Sequence, residues 1–240
     1  MVKYLNVLFF TVMLVMNYLA NALPLNNKTT GELSDSFPNL FVPAGITFSI
    51  WGVIYLLLLI FTVFQFTARG KAVSAEIGWL FAITCILNAL WIVFWHYGKL
   101  PLSLLVMTGL LITLISINIS IRPVQSVIMK ASFGIYLGWI CIATIANVTA
   151  LLVNYGWNGF NVSQEAWAII MILTGTLIVS FTLLQLRNPF IGIAVIWAFI
   201  GIAIKRQDDY RSIFITALIA LVLVAIVTIW AFLRKVPARM

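Results

Sequence analysis

Apolar runs of about 20 residues, the length an α-helix needs to cross the hydrocarbon core of a bilayer, recur along the whole chain. Short polar, proline- or glycine-bearing connections separate eight of them. They are about Tyr4–Leu23, Pro43–Phe66, Gly78–Tyr97, Leu102–Ile121, Ala131–Trp157, Glu165–Leu186, Phe190–Ile204 and Ser212–Leu233. The pattern predicts an all-α, polytopic integral membrane bundle of about eight transmembrane helices. The seventh run is short for a span, so crossing and re-entrant placements both remain open. Gly192 and Gly201 within it lie on different helical faces and favour close packing only in part.

Polar positions inside these runs are not scattered. Trp139, Ala143, Asn147, Ala150 and Asn154 follow at steps of four, four, three and four, which places them on one stripe of a helix. Thr47, Trp51 and Tyr55 form a second stripe, and Asn88, Trp91 and Trp95 a third, with Thr84 a turn above. Amide side chains gain nothing from lipid, so these faces should point into protein or a cavity. Asparagines that glue helices together explain Asn88, Asn147 and Asn154 without any ligand. Trp51 and Trp139 weigh the other way: a mid-span indole N–H needs a partner, and flat aromatic walls suit a large apolar ligand.

Composition agrees with the pattern: 63% of the 240 residues are hydrophobic and 8% charged, against about a quarter charged in soluble domains. Mean hydropathy is +1.13. The net charge of +8 comes from basic residues standing singly or in pairs between apolar segments, a placement that sets topology and offers no nucleic-acid surface. With eight spans, Lys3, Arg69, Lys71, Arg122, Lys130, Arg187, Arg234, Lys235 and Arg239 share one side, against five basic residues on the other. The excess puts both termini in the cytoplasm, with the cell membrane as the expected location. Cys85 and Cys141 sit mid-span and read as small packing residues. One histidine and six acids assemble no metal cluster and no catalytic arrangement, and no mid-span acid or base offers a proton relay.

Several of these residues also resemble a known family. Pro43 and, eight positions on, Trp51-Gly52-Val53-Ile54-Tyr55 are similar to the second-helix signature of the TspO/MBR family, the tryptophan-rich sensory and translocator proteins. Leu87-Asn88-Ala89-Leu90-Trp91 with Phe94-Trp95 resembles the third-helix pattern. Tyr136-Leu137-Gly138-Trp139, Ala143-Thr144, Asn147, Asn154 and Gly156-Trp157 resemble the fifth. The likeness covers residues 1–158 as a five-helix membrane domain and leaves 159–240 as a three-segment membrane extension. Lys3, the first apolar run and Ala20-Asn21-Ala22 together look like a secretory signal. The family keeps its first helix, which favours retention here. Departures are the first loop, where Thr29–Asp35 stands in place of the family's lid motif, and the lack of a cholesterol-recognition pattern after Asn147.

The resemblance implies a helical-bundle pocket for a porphyrin, another tetrapyrrole or a sterol-like molecule. Trp51, Tyr55, Asn88, Trp91, Tyr136, Trp139, Ala143 and Asn147 would bind it. No cofactor is required; a haem-type tetrapyrrole would be bound as ligand, and any enzymatic activity would be limited to slow, tryptophan-dependent porphyrin breakdown. Expected partners are the lipid bilayer, a hydrophobic small molecule and, as in the family, a second copy in a homodimer. Two other readings stay open: a small-molecule transporter completed by the last three segments, and a non-enzymatic scaffold whose stripes only join helices.

Overall fold

A computed structural model describes residues 1–23 and 25–234. Lys235 and Arg239, two of the basic residues in the charge count, lie outside them. The described chain forms α1 (Val2–Asn21), α2 (Thr30–Asp35), α3 (Ile50–Phe64), α4 (Ala68–Ala75), α5 (Leu80–His96), α6 (Leu100–Ser120), α7 (Val127–Asn154), α8 (Gln164–Leu186), α9 (Phe190–Arg206) and α10 (Arg211–Leu233). Every expected span is a helix, most with ends within two or three residues of the pattern, and α3 is entered through a 3-10 segment, Gly45–Ser49. Helices α2 and α4 were not anticipated. Six helices are long and apolar enough to cross a membrane. The other two spans, α5 and α9, have 17 residues each, which extends about 25 Å.

Helices α1, α5, α6, α7 and α3 pack in that order around a closed ring, and α3 returns to α1. Outside the ring α9 lies against α7, and α10 and α8 pack against α9. Helix α7 therefore sits between the ring and the last three helices, and from Ala131 to Ile142 it is buried all round. On the outer surface Leu56, Ile112, Leu177, Phe181 and Ile226 are each more than half exposed. Such a surface is costly in water and is the normal face of a helix solvated by lipid.

Close approach of α7 and α9 depends on two glycines. A methyl group on Gly138 would run into the Ile191 carbonyl and come within 3.1 Å of the Ala194 Cβ, and one on Gly134 would meet the Asn188 amide at 2.7 Å. Asn188 in turn donates to Asn118 Oδ1 on α6 at 2.7 Å and to the Lys130 carbonyl of α7 at 3.0 Å. The far end of α9 reaches the first loop, where Arg206 bonds the carbonyls of Asn39 and Leu40. Helix α9 thus runs the height of the bundle. Gly192 and Gly201 do lie on different faces: Gly192 receives Thr228 of α10, and Gly201 receives Thr47 of the 3-10 segment.

Inside the ring, polar and aromatic layers alternate along the axis. Near the chain's start Asn6 donates to Gln65 Oε1 at 3.1 Å. Phe61, Phe81 and Phe133 follow, fully buried, with ring centroids 5.0–6.0 Å apart. Asn17 then donates to Asn88 Oδ1 at 2.7 Å, and Asn88 donates to the Tyr136 hydroxyl at 2.9 Å, joining α1, α5 and α7. The buried stripe of α1, Asn6, Phe10, Met13, Asn17 and Ala20, supplies one wall of all these layers.

Two predictions follow from this packing. Gly138→Ala forces backbone apart at the α7–α9 contact and should cost about 1–3 kcal/mol in a detergent unfolding titration. Gly52→Ala, where a methyl meets nothing within 4 Å, should be neutral or stabilising by up to about 1 kcal/mol; equal loss in both would show that the close approach does not matter. Asn88→Ala removes the donor to the Tyr136 hydroxyl and leaves the Asn17 amide with only the Met13 carbonyl of its own helix, and should lower stability by about 1–2 kcal/mol. Adding Asn17→Ala to it should then cost little, and full additivity of the two would argue against the chain of bonds.

Candidate functional site

Above the Asn17–Asn88–Tyr136 layer the ring narrows to an aromatic wall. Trp51 enters from the first turn of α3, directly after the 3-10 segment that turns the chain into the bundle. Its ring stacks on Tyr55 at 5.6 Å and on Trp91 at 6.2 Å, and meets Trp139 and Tyr136 edge-on at 6.2 and 5.9 Å. Trp91 stacks on Trp95 at 5.9 Å, one helical turn further along α5. Phe37 and Phe48 close the array against Trp95 and Trp139. Helical spacing produces this order: residues 91 and 95 of α5, and 139, 143 and 147 of α7, point into the ring at successive turns.

These rings border a small cavity of about 40 Å³, lined by Trp51, Trp91, Trp95, Trp139, Ala143 and Asn147 from the helices, with Phe48, Ile142 and Ala146. Thr30, Ser34 and Pro43 of the first loop line it from above. Five of the eight residues expected at the site, Trp51, Trp91, Trp139, Ala143 and Asn147, therefore meet at one cavity. Tyr55, Asn88 and Tyr136 lie beside or below it: Tyr55 backs Trp51, while Asn88 and Tyr136 are bonded to each other. Asn147 does both jobs, lining the cavity while its Nδ2 donates to Ser103 Oγ on α6 at 3.0 Å. Asn154, last on its stripe, ends α7 exposed.

Six buried side-chain polar atoms lack a partner among the described residues, and three of them are the indole nitrogens of Trp91, Trp95 and Trp139. All three side chains are at least 95% buried, and all three line the cavity. Two larger hollows lie elsewhere: about 290 Å³ beside Leu40, Leu152, Trp157 and Trp167, and about 320 Å³ beside Ile50, Val53, Ile193 and Trp197. Neither is lined by an unpaired buried polar group. Size alone favours the larger two; chemistry selects the tryptophan cavity.

The first loop forms a lid. Helix α2 is nucleated by a capping box, in which Thr29 Oγ1 accepts from the Glu32 N–H while the Thr29 N–H donates to the Glu32 carboxylate at 2.8 Å. Hydrogen bonds from the Thr29 backbone and hydroxyl hold the Glu32 carboxyl below its ordinary value. Beneath the lid stands the chain's one histidine. His96 Nδ1 donates to the Leu25 carbonyl at 3.1 Å, which leaves Nε2 to pair with the Thr30 hydroxyl at 3.1 Å. Asn26 Nδ2 donates to the His96 carbonyl at 3.0 Å. The lid's first half is thus tied to α5, next to Trp95.

The expected ligand-binding set omits Trp95, although it shares the Asn88–Trp91 stripe, and it omits Thr30 and Ser34, which entered only as part of the stretch that departs from the family's lid motif. The sequence Thr29-Thr30-Gly31-Glu32 carries the capping-box signature that could have revealed α2. Nothing local pointed to Thr30 or Ser34, because their place over the cavity is set by contacts with distant helices.

No curated protein and no solved structure matches this chain. A family model described as TSPO-like protein matches residues 3–230. The match runs through the whole ring and continues past residue 158 through α8 and α9 into α10. A match of that extent makes the chain a member of the TSPO-like protein family, an integral membrane protein that passes the bilayer several times.

Proposed function

We propose that the tryptophan cavity binds a planar, largely apolar molecule carrying hydrogen-bond acceptors at its edge, of the tetrapyrrole or sterol-like class. The observation that carries this reading is that three of the tryptophans lining one cavity, Trp91, Trp95 and Trp139, each hold a buried indole N–H with no partner among the described residues. An indole nitrogen can only donate, so the ligand must bring acceptors: carbonyl, ether or carboxyl oxygens, or ring nitrogens. The stacked rings of Trp51, Trp91 and Trp95 offer flat apolar area, and Trp139 with Phe48 offers an edge-on wall. Asn147 and the Thr30 and Ser34 hydroxyls add neutral polar contacts.

The lining contains no titratable side chain. The site is therefore suited to holding and orienting a ligand and supplies no acid or base to transform it. Pockets for drug-sized ligands measure about 300–1,000 Å³, far more than the 40 Å³ of this cavity. Binding must move the lid, which is short and joined to the helices through a small number of bonds. Family membership supports the same reading, since Pro43, Trp51, Trp91, Trp95, Trp139, Ala143 and Asn147 on the cavity lining carry the TspO-type resemblance.

Protoporphyrin IX titrated into the purified full-length protein, followed by the porphyrin's own absorbance and fluorescence, tests the proposal. Saturable binding is expected, and Trp91→Phe or Trp139→Phe, which keep a ring and remove a donor, should each raise the Kd by about three- to tenfold. Undiminished affinity in a Trp91→Phe/Trp139→Phe protein would overturn the assignment of the site. A sterol titrated in the same way distinguishes the two ligand classes.

A further inference from the structure

The second half of the lid is fastened to α9 rather than to the ring. Arg206, buried in the last turn of α9, donates from Nε to the Leu40 carbonyl at 3.1 Å and from Nη2 to the Asn39 carbonyl at 3.0 Å. The Asn39 side chain shapes this turn, because its Oδ1 accepts from the N–H groups of Phe41 and Val42 and its Nδ2 donates to the Phe37 carbonyl. Among the described residues no backbone N–H takes either of the two carbonyls that Arg206 holds. Lys205 pairs with Asp35, the last residue of α2, at 2.6 Å and reaches the Pro43 carbonyl at 3.5 Å. One turn earlier the Ala44 N–H donates to the Gly201 carbonyl at 3.0 Å, and Trp197 Nε1 donates to the Thr47 carbonyl at 2.9 Å.

This row of bonds follows the strap from Asp35 to Thr47, which runs from the lid helix to the segment that delivers Trp51. Ser34 and Pro43, which line the cavity, stand next to the held residues. We infer that Arg206 and Lys205 are positioning residues for the tryptophan cavity: they clasp the lid in its closed position and so set how fast a ligand reaches the site. The two halves of the lid then have different roles. The His96–Thr30 and Asn26–His96 bonds hold its first half on α5 and serve as the hinge, while the α9 bonds are the part that lets go. Helix α9 is itself packed closely on α7 at Gly138, and the turn that leads into it at Gly134, so the clasp has a firm backing. The last three helices thereby acquire a task at a site they do not line.

The position of the lid can be measured without a ligand. Ser34 is 8% exposed under the closed lid, so Ser34→Cys, in a protein with Cys85 and Cys141 replaced by Ala, reports opening through its rate of reaction with a water-soluble maleimide. Arg206→Gln and Lys205→Met should each speed labelling, Arg206→Gln by about tenfold, as expected for losing charge-assisted bonds. Asp35→Lys combined with Lys205→Asp should restore the slow rate, which a general loss of structure would not do. Asp35 and Lys205 are both solvent-accessible, so this pair tests the clasp even if Arg206→Gln does not fold. Labelling rates unchanged in Arg206→Gln and Lys205→Met would overturn the inference.

The kinetic consequence rests on the ligand reading above. In stopped-flow mixing with protoporphyrin IX, the clasp variants should raise the association rate and lower the Kd, because less binding energy is then needed to lift the lid. Wild-type protein that fails to bind the porphyrin would sink that reading and leave the labelling result to decide the clasp. Binding with unaltered rates in the variants would sink the clasp alone.

Discussion

The interior of a membrane bundle has no water to complete its hydrogen bonds, and the arrangement of this chain follows from that constraint. Each of four interior asparagines is met by a side chain from a distant part of the chain: Asn6 by Gln65 at the end of α3, Asn17 by Asn88, Asn147 by Ser103, and Asn118 by Asn188 in the α8–α9 turn. Such bonds contribute about 0.6–2 kcal/mol apiece in a membrane, less than apolar packing does over a whole helix. Their larger effect is on register. A helix that slides or rotates leaves a buried amide unpaired, so each pair fixes which residues of two neighbouring helices stand at the same height. The tryptophans reach one cavity because the Asn17–Asn88–Tyr136 layer beneath them aligns α1, α5 and α7.

The same constraint accounts for what the sequence discloses and what it withholds. Long apolar runs can only be helices in lipid, so the spans and most of their ends are readable from hydropathy. Stripes are readable too: Trp139, Ala143 and Asn147 do face one cavity, and so do Trp51 and Trp91. Pairing is not readable, because a lone asparagine in an apolar run does not say which helix will meet it. Asn118 and Asn188 were passed over for that reason, though together they bind α6, α7 and α9. Asn88 and Tyr136 show the same ambiguity from the other side. Their positions near the tryptophans suggested ligand contacts, and the structure has them bonded to each other and to Asn17.

Arg206 illustrates a second kind of illegibility. In the sequence it belongs to a charged run, Lys205–Asp209, and counts only as one of the five basic residues on the minority side of the membrane. In the fold its guanidinium is buried against two carbonyls from a loop more than 160 residues earlier. A charge so placed is tolerated only because those acceptors are present. Helix α9, short for a span, ends at the two residues, Lys205 and Arg206, whose side chains bond to the lid.

The closed cavity is a compromise between two ways of satisfying an indole. Ring against ring, each aromatic pair contributes about 0.5–1.5 kcal/mol beyond simple burial, and Tyr55, Trp51, Trp91 and Trp95 form an unbroken series of such pairs. Edge against acceptor, each buried N–H left unpaired costs about 1–3 kcal/mol, and three are left so. Stacking is thus satisfied within the protein and hydrogen bonding is not. A flat guest with acceptors at its rim can replace the stacking it disturbs and add the bonds that are missing, which offsets the work of lifting the lid. An apolar guest of the same shape replaces only the first. Under the proposed reading the unpaired indoles favour a ligand with a polar edge over one that is merely greasy, and they do so without any charged side chain on the cavity lining.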